Sequence, residues 1–197
     1  MTADSPAASS PVSWPRTVGD LVLRPPEVAD VDPIMQWRNR PDVTRWLLRT
    51  TVSADDLRER LMGEPDPRDH SFVVLLGEER VAMGYLEVRD GMGQDGGREP
   101  VGAEALLGWN ISPGHWRRGI GTAICAELLA IAFGELRVRR VEAGCFADNV
   151  GSWKVMEKCG MRREQHGIED SWHAELGWVD GFTYAMLRRE WEDQRAR

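Results

Sequence analysis

Residues 115–122, with the sequence HWRRGIGT, combine residue types that bind phosphate groups. Arg117 and Arg118 carry guanidinium groups that suit phosphate, and Gly119 and Gly121 let an anion approach the backbone without obstruction by a Cβ atom. Apolar residues at helical spacing follow directly, so we expect this segment to lie at a helix N-terminus. Free N–H donors and the positive end of the helix dipole make such a terminus an anion site. The alternative is a surface loop with solvated arginines.

A second group of polar residues lies on one face of a predicted helix. Asn149, Ser152 and Met156 occur at positions i, i+3 and i+7, which share a helix face. Asn149 stands where an N-cap is expected, and its amide has a second polar end that can contact a ligand. The Ser152 hydroxyl is a candidate hydrogen-bond donor in catalysis, or alternatively satisfies backbone groups of its own helix.

The acidic segment GIEDSWHAEL, before the last predicted strand, combines carboxylates with aromatic residues. That combination suits a cationic amine, through charge and cation–π attraction. The tryptophans of this region line either an acceptor pocket or a subunit contact. The candidate residues for binding an acceptor are Glu169, Asp170, Trp172, Trp178 and Tyr184.

The segments that position these groups alternate between strand and helix patterns. Apolar runs and period-2 alternation predict strands at 21–24, 70–77, 80–90, 103–111, 138–146 and 181–187. Capping residues and i, i+4 apolar spacing predict helices at 30–39, 53–62, 119–136 and 149–160. This order predicts an α+β fold, with a sheet flanked by helices.

Composition excludes several classes of protein. The chain has 197 residues and a net charge of −7, so one domain is expected, over 17–197, and a nucleic-acid partner is disfavoured. Residues 1–16, rich in Ser, Ala and Pro, predict a disordered leader without the features of a signal peptide. No apolar run reaches membrane-spanning length, so we expect a soluble, cytoplasmic protein without a membrane partner. Three cysteines without a CxxC motif, and four scattered histidines, predict neither a disulfide framework nor a metal site.

Two motifs together resemble the GNAT family of acetyl-CoA-dependent N-acetyltransferases. These are WRRGIGT after one apolar strand and NVGSWKVMEKCGM after the next, and the likeness in element order extends over roughly Thr17 to Trp191. The segment LRPPEVADVDPIMQWRNRPDVTRWL is similar to the branch that contains the ribosomal-protein N-terminal acetyltransferases. The resemblance implies a mixed, mostly antiparallel sheet of about six to seven strands. It also implies acetyl-CoA as co-substrate, with direct transfer to a primary amine in a ternary complex.

The resemblance also implies roles for individual residues. The segment from Trp116 to Gly121 would wrap the pyrophosphate of CoA, although Trp116 replaces the usual Arg or Gln. Asn149 would contact the pantetheine arm, and Ser152 would assist departure of the thiolate, because Met156 replaces the usual proton-donating Tyr. The cofactor-binding residues expected on this basis are Trp109, Asn110, Ile111, Trp116, Arg117, Arg118, Gly119, Ile120, Gly121, Thr122, Asn149 and Ser152.

The general base and the acceptor stay open at this point. A backbone N–H within 107–111 would stabilise the oxyanion, as in the family, and Glu104 begins the same strand. Three residues of the acidic segment compete with Glu104 as the catalytic base, namely Glu169, Asp170 and Glu175, and His173 is a further candidate. The acceptor is a protein N-terminal α-amino group, a polyamine or an aminoglycoside. A non-catalytic CoA-binding sensor is the alternative from another class, and the protein is a monomer or a homodimer.

Overall fold

The computed structural model describes residues 12–64, 66–94 and 99–196, and their strands form one sheet. The strands are β1 (Arg16–Val18), β2 (Leu21–Arg24), β3 (Phe72–Leu76), β4 (Glu79–Arg89), β5 (Glu104–Ile111), β6 (Arg140–Phe146), β7 (Arg162–His173) and β8 (Gly177–Leu187). The helices are α1 (Val31–Arg38), α2 (Pro41–Thr44), α3 (Ala54–Met62), α4 (Ile120–Ala130), α5 (Val150–Lys158) and α6 (Arg188–Arg195). Helix α4 continues into a π-helical turn over Ile131–Glu135.

The eight strands are arranged in the order β1-β2-β3-β4-β5-β6-β8-β7. Every neighbouring pair is antiparallel except β5 and β6, which are parallel. The predicted α+β class and mostly antiparallel sheet are therefore confirmed, with eight strands rather than six to seven. Strands β1 and β7 were not predicted from the sequence. In β7 the only buried residues are Gly167 and His173, so its sequence carries no alternation of apolar and polar residues.

The helices cover both faces of the sheet. Alternate residues of β3 point to opposite faces, so Phe72 and Val74 pack with α4 while Val73 packs with α1 and α3. The predicted apolar stripe of α4 is buried as expected; its members are Ile120, Ile124, Leu128 and Ile131. None of the helices in the described parts of the chain combines the length and apolar character that a membrane crossing requires.

Local signals in the sequence define several helix ends. The Ser53 hydroxyl caps α3 by accepting the N–H of Asp56 at 3.0 Å, and Asn149 caps α5 by accepting the N–H of Ser152. Gly160, with a φ of +82°, ends the turn after α5. These boundaries agree with the predicted ones because capping depends on residues three or fewer positions apart.

Asp30 anchors the start of α1 to the sheet. Its carboxylate is fully buried and accepts hydrogen bonds from Arg24 at 2.7 and 2.8 Å and from Arg80 at 2.9 Å. Burial raises the pKa of this carboxyl, but the bonds from the two arginines outweigh burial and hold the pKa below its usual value. Asp30 is therefore a buried anion that two cations compensate.

The N-terminal boundary of the domain differs from the expectation of a leader over 1–16. Val12 is buried in the main core, and Arg16 of β1 forms an ion pair with Glu127 of α4 at 2.7 Å. Residues 12–16 therefore belong to the folded domain. The leader predicted for residues 1–11 lies outside the described residues.

Candidate active site

The parallel strands β5 and β6 separate part-way along their length. They pair over three residues only, and the pairing ends at Leu106 of β5 and Glu142 of β6. Beyond that point β5 stays paired with β4 as far as Ile111, and β6 stays paired with β8 as far as Phe146. The two strands therefore diverge and open a wedge in the middle of the sheet.

Alternate β5 residues direct their backbone groups into the wedge. The N–H of Ser112 donates to β4, whereas the carbonyl of Ala103 accepts from the first residue of β6. Since backbone groups of successive strand residues point to opposite edges, those of Leu107, Trp109 and Ile111 point towards β6. The Trp109 N–H lies in the part of β5 where β6 has moved away. It is thus a donor available to an oxygen atom in the wedge, as expected for a residue within 107–111.

The segment before α4 forms a cradle of free backbone donors. From Arg117 to Thr122, no backbone N–H donates to an acceptor among the described residues, and the Ala123 N–H is bonded to the Gly119 carbonyl at 3.0 Å. Gly119 adopts a left-handed conformation with a φ of +81°, which favours glycine. The Arg117 and Arg118 side chains are exposed beside these donors. Consecutive N–H groups and two cations fit the diphosphate of a CoA molecule.

Two other residues of this segment have structural contacts. A Cβ atom added at Gly121 would lie 3.2 Å from side-chain atoms of both Ile111 and Val155. This glycine therefore permits close packing of α4 on β5 and α5, and its role in admitting an anion to the backbone stays a prediction. The Trp116 indole donates to the Ile111 carbonyl at 2.8 Å, which ties the segment to the end of β5.

A cavity of about 920 Å³ occupies the wedge and extends over the sheet face covered by α1–α3. Trp109, Asn110, Asn149 and Ser152 line it, four of the residues expected to contact the cofactor. The Ser152 hydroxyl lies beside the Cys145 thiol, whose pKa burial raises to about 11. Cys145 is therefore a neutral thiol at physiological pH, and Ser152 is the hydroxyl that α5 presents to the wedge.

Among the predicted acidic residues, the structure brings Asp170 to the cavity. Between Gly167 and Ser171, β7 contains two residues more than the facing segment of β8, and Glu169 within this bulge has a φ of +47°. The bulge turns the Asp170 carboxylate over Gly181, where an added Cβ would lie only 2.5 Å from Asp170 Oδ1. The Ser171 hydroxyl donates to the same oxygen at 2.8 Å. Asp170 is therefore a carboxylate held at the cavity wall.

The other predicted carboxylates lie away from the cavity. Glu104 stands at the closed end of the parallel pair, where it forms ion pairs with Arg140 at 3.2 Å and Arg139 at 3.6 Å. Glu175 is exposed in the β7–β8 turn, and Glu169 is exposed in the bulge. The geometry argues against Glu104 and Glu175 as catalytic residues, because the wedge begins beyond Glu104 and the turn lies outside the cavity.

The predicted acceptor-binding aromatics also lie outside the cavity. Trp172 and Trp178 form an edge-to-face pair across the β7–β8 hairpin, with ring centroids 5.5 Å apart, and are about 60% exposed. Tyr184 is fully buried, and its hydroxyl donates to Glu157 Oε1 at 2.8 Å. Burial and the neighbouring Glu157 carboxylate raise the pKa of Tyr184 to about 12. Tyr184 is a core residue, because its strand directs it towards α5.

His173 anchors the hairpin and is unsuited to act as a base. Its Nε2 donates to the Arg45 carbonyl at 2.7 Å, and its Nδ1 accepts the N–H of Glu175 at 3.1 Å. The rings of Trp46 and Phe146 pack edge-on against the imidazole. These partners assign the neutral Nε2–H tautomer with both nitrogens in use.

Three residues on the opposite wall of the cavity were not predicted to belong to the site. Arg38, Arg60 and Tyr85 line it from α1, α3 and β4. The Tyr85 ring lies across Gly108 of β5, where an added Cβ would be 2.4 Å from Tyr85 Cε1. The Arg60 guanidinium lies 5.8 Å from the Tyr85 ring centroid. A glycine opposite a tyrosine on the neighbouring strand indicates that the ring packs over the glycine. This pairing can be recognised in the sequence only when the register of β4 with β5 is known.

The cysteines and histidines form neither disulfides nor a metal site in the described part of the chain. All three cysteines are free, and Cys125 is buried in the core. No group of three or more His, Cys, Asp or Glu side chains among these residues is arranged to hold a metal ion.

Comparison with known proteins identifies the family. The sequence profile of the family described as "Acetyltransferase (GNAT) domain" matches residues 20–162, which is most of the chain. The chain belongs to the GNAT acetyltransferase family. GNAT enzymes use acetyl-CoA, and the free donors of the cradle fit that co-substrate. This GNAT protein is therefore an acetyl-CoA-dependent N-acetyltransferase.

Relatives of this GNAT acetyltransferase include proteins with different acceptors. The uncharacterized N-acetyltransferase YnaD of Bacillus subtilis (strain 168) is 23% identical over 175 residues, which cover 89% of this chain and 98% of YnaD. The ribosomal-protein-S5-alanine acetyltransferase of Vibrio fischeri has a TM-score of 0.74 at 13% identity, covering 91% of this chain and 99% of the other. The spermidine N-acetyltransferase of Vibrio cholerae, solved with CoA and spermine, has a TM-score of 0.72 at 18% identity, covering 89% and 99%. At these identities the two structures establish the shared fold alone.

Proposed function

We propose that this enzyme acetylates a protein N-terminal α-amino group by direct transfer within a ternary complex. The observation that carries the proposal is the cavity that continues from the wedge to the α1–α3 face of the sheet. Ser152 lines the cavity from α5, whereas Asp170 lines it from β7 and Tyr85 from β4. A thioester and an amine can therefore approach one point from two directions, without a covalent enzyme intermediate.

Three groups of the chain have complementary tasks in this reaction. Acetyl-CoA, when bound, supplies the acetyl thioester. The Trp109 N–H stabilises negative charge on the carbonyl oxygen as the amine attacks. The Ser152 hydroxyl donates a hydrogen bond to the departing sulfur, and an Asp170 carboxylate oxygen accepts the proton that the amine loses.

The balance of charge in the cavity favours an acceptor with one amine over a polyamine. Three arginines and three carboxylates line it, namely Arg38, Arg49, Arg60, Asp56, Glu59 and Asp170. A site for a polycation would need an excess of carboxylates near the bound amines. The similarity of residues 23–47 to the ribosomal-protein branch supports the same acceptor.

A panel of acceptors tests the proposal. Thiol release from acetyl-CoA is measured with peptides of varied N-terminal residue, with polyamines, with aminoglycosides and without acceptor. We expect turnover with peptides, and we expect Asp170→Asn to lower kcat by about a hundredfold or more if this carboxylate is the base. The exposed Asp55→Asn variant of α3 is the matched control. Turnover with polyamines or aminoglycosides, but not with peptides, would contradict the proposed acceptor and indicate a small amine instead. Binding of acetyl-CoA without any turnover would favour the sensor alternative.

A further inference from the structure

Arg38 is a buried cation without a compensating anion. It lies at the end of α1, lines the cavity and is only 4% exposed. Its Nη2 donates to the Arg49 carbonyl at 2.9 Å, whereas its buried Nη1 has no hydrogen-bond partner among the described residues. No described carboxylate lies within 4 Å of its guanidinium nitrogens. Arginines are seldom buried without such a partner, because desolvation of the charge is costly.

A second guanidinium adds to this uncompensated charge. Burial lowers the pKa of Arg38, and the nearby positive charge of Arg60 lowers it further. Arg60 likewise has no carboxylate within 4 Å among the described residues. The Asp56 carboxylate accepts the Ser53 N–H in the N-terminal cap of α3, so that bond holds it at the helix terminus. Two arginines therefore face one cavity without a carboxylate of the described residues within 4 Å of either guanidinium, and Nη1 of Arg38 is an unused donor.

We propose that Arg38 and Arg60 form a carboxylate-binding subsite, and that the acceptor is a primary amine that also carries a carboxylate group. This proposal deepens the proposed function and rests on it, because it assumes that the reacting group of the acceptor is an amine. A carboxylate can accept two hydrogen bonds from a guanidinium, and its single negative charge would offset part of the positive charge of the two arginines. It would also accept a hydrogen bond from the free Nη1 of Arg38, which an ammonium group or an amide N–H cannot do because each is a donor only.

The strand order sets an approximate span for such an acceptor. Arg60 lies against the Tyr85 ring of β4 and Arg38 lies near Arg60, whereas the proposed transfer takes place in the wedge between β5 and β6. The middle of the wedge is about one and a half strand spacings from β4, which corresponds to roughly 7 Å. That span exceeds the distance from an α-amine to its own α-carboxylate. It fits an acidic side chain in the first two residues of a peptide, or the distal carboxylate of a free dicarboxylic amino acid.

A binding experiment tests the subsite without requiring turnover. Glutarate is titrated by calorimetry into the CoA-saturated wild-type protein, so that the phosphate cradle is already filled. The same titration is made with Arg60→Gln, Arg38→Met and the control Arg58→Gln, which removes an exposed arginine of the same helix. We expect the first two variants to bind glutarate about tenfold more weakly or worse, and the control to bind as the wild type does. Equal affinity in all four proteins, or no binding to the wild type, would overturn the proposal.

Arg60→Gln keeps the test valid if loss of the buried Arg38 prevents folding, because Arg60 is exposed. Measurements of acetyl transfer then show whether the carboxylate belongs to a peptide side chain or to a free dicarboxylic amino acid. Peptides with Glu or Gln at the second position are compared, as are free glutamate and glutamine. We expect the acidic member of one pair to have a kcat/KM about tenfold higher, with the preference lost in Arg60→Gln. Turnover without any acidic preference would refute the subsite alone, whereas glutarate binding without turnover of any amine would refute the proposed function alone.

Discussion

Replacement of Gly119 by alanine isolates the contribution of backbone conformation to the CoA cradle. Gly119 has a φ of +81° and a ψ of −7°, and a Cβ atom added there meets nothing within 4 Å. The penalty is therefore conformational rather than steric, and a left-handed alanine costs about 1–2 kcal/mol. The free protein can relieve this strain by rearranging the segment, but the cradle with bound CoA cannot. In the CoA-saturated protein the whole cost appears as lost stability.

The expected magnitude follows from that cost. For a chain of this length, about 1–2 kcal/mol lowers the Tm of the CoA-saturated protein by about 2–8 °C. If the free protein relaxes completely, its Tm is unchanged and acetyl-CoA binds about 5–30-fold more weakly, as calorimetry would measure. Gly114→Ala is the control, since Gly114 also has open space around its Cβ position but does not have a positive φ. Equal stability of the CoA-saturated Gly119→Ala and Gly114→Ala proteins would refute the reasoning.

Three further substitutions test other parts of the structure. Ser152→Ala should lower kcat by about tenfold or more with little change in acetyl-CoA affinity, and a wild-type kcat would leave Ser152 a structural role. Gly121→Val should crowd Val155 and destabilise the protein by about 1–3 kcal/mol in urea unfolding, so unchanged stability would contradict the packing described here. Asp30→Asn should cost about 3–5 kcal/mol at neutral pH, because it breaks a buried ion pair with Arg24. The depressed pKa of Asp30 stabilises the fold above about pH 4, and this contribution is lost as the pH falls through the folded-state pKa. The difference between wild type and Asp30→Asn should therefore shrink on acidification, and a constant difference down to pH 2 would contradict this account.

Elements with local signals were predictable from the sequence. The caps at Ser53 and Asn149 and the buried stripe of α4 agree with prediction, because each depends on residues a few positions apart. Strand β7 was missed because it lies at the edge of the sheet and is exposed along most of its length, so no apolar alternation marks it. The packing role of Gly121 was not predicted for a related reason, since its neighbours Ile111 and Val155 come from other elements.

The choice among the acidic residues depended on the β7 bulge. Three carboxylic acids were candidates for this position, namely Glu104, Asp170 and Glu175, and their neighbours in the sequence do not show which of them reaches the cavity. The bulge turns Asp170 over a glycine of β8, and the register of β5 with β6 leaves Glu104 in ion pairs at the closed end. Such registers are set by pairing between distant segments, so they cannot be read from local spacing.

The GNAT family, the segment of arginines and glycines before α4 and the cap at Asn149 could be predicted from the amino-acid sequence alone. These features depend on hydrogen bonds and conformations within a few residues of one another, so their residue types carry the information. Only the tertiary structure decided where the wedge opens, which carboxylate reaches the cavity and that Arg38 is buried without a counter-ion. Each of these results from contacts between segments far apart in the chain, and burial itself exists only once those segments have packed.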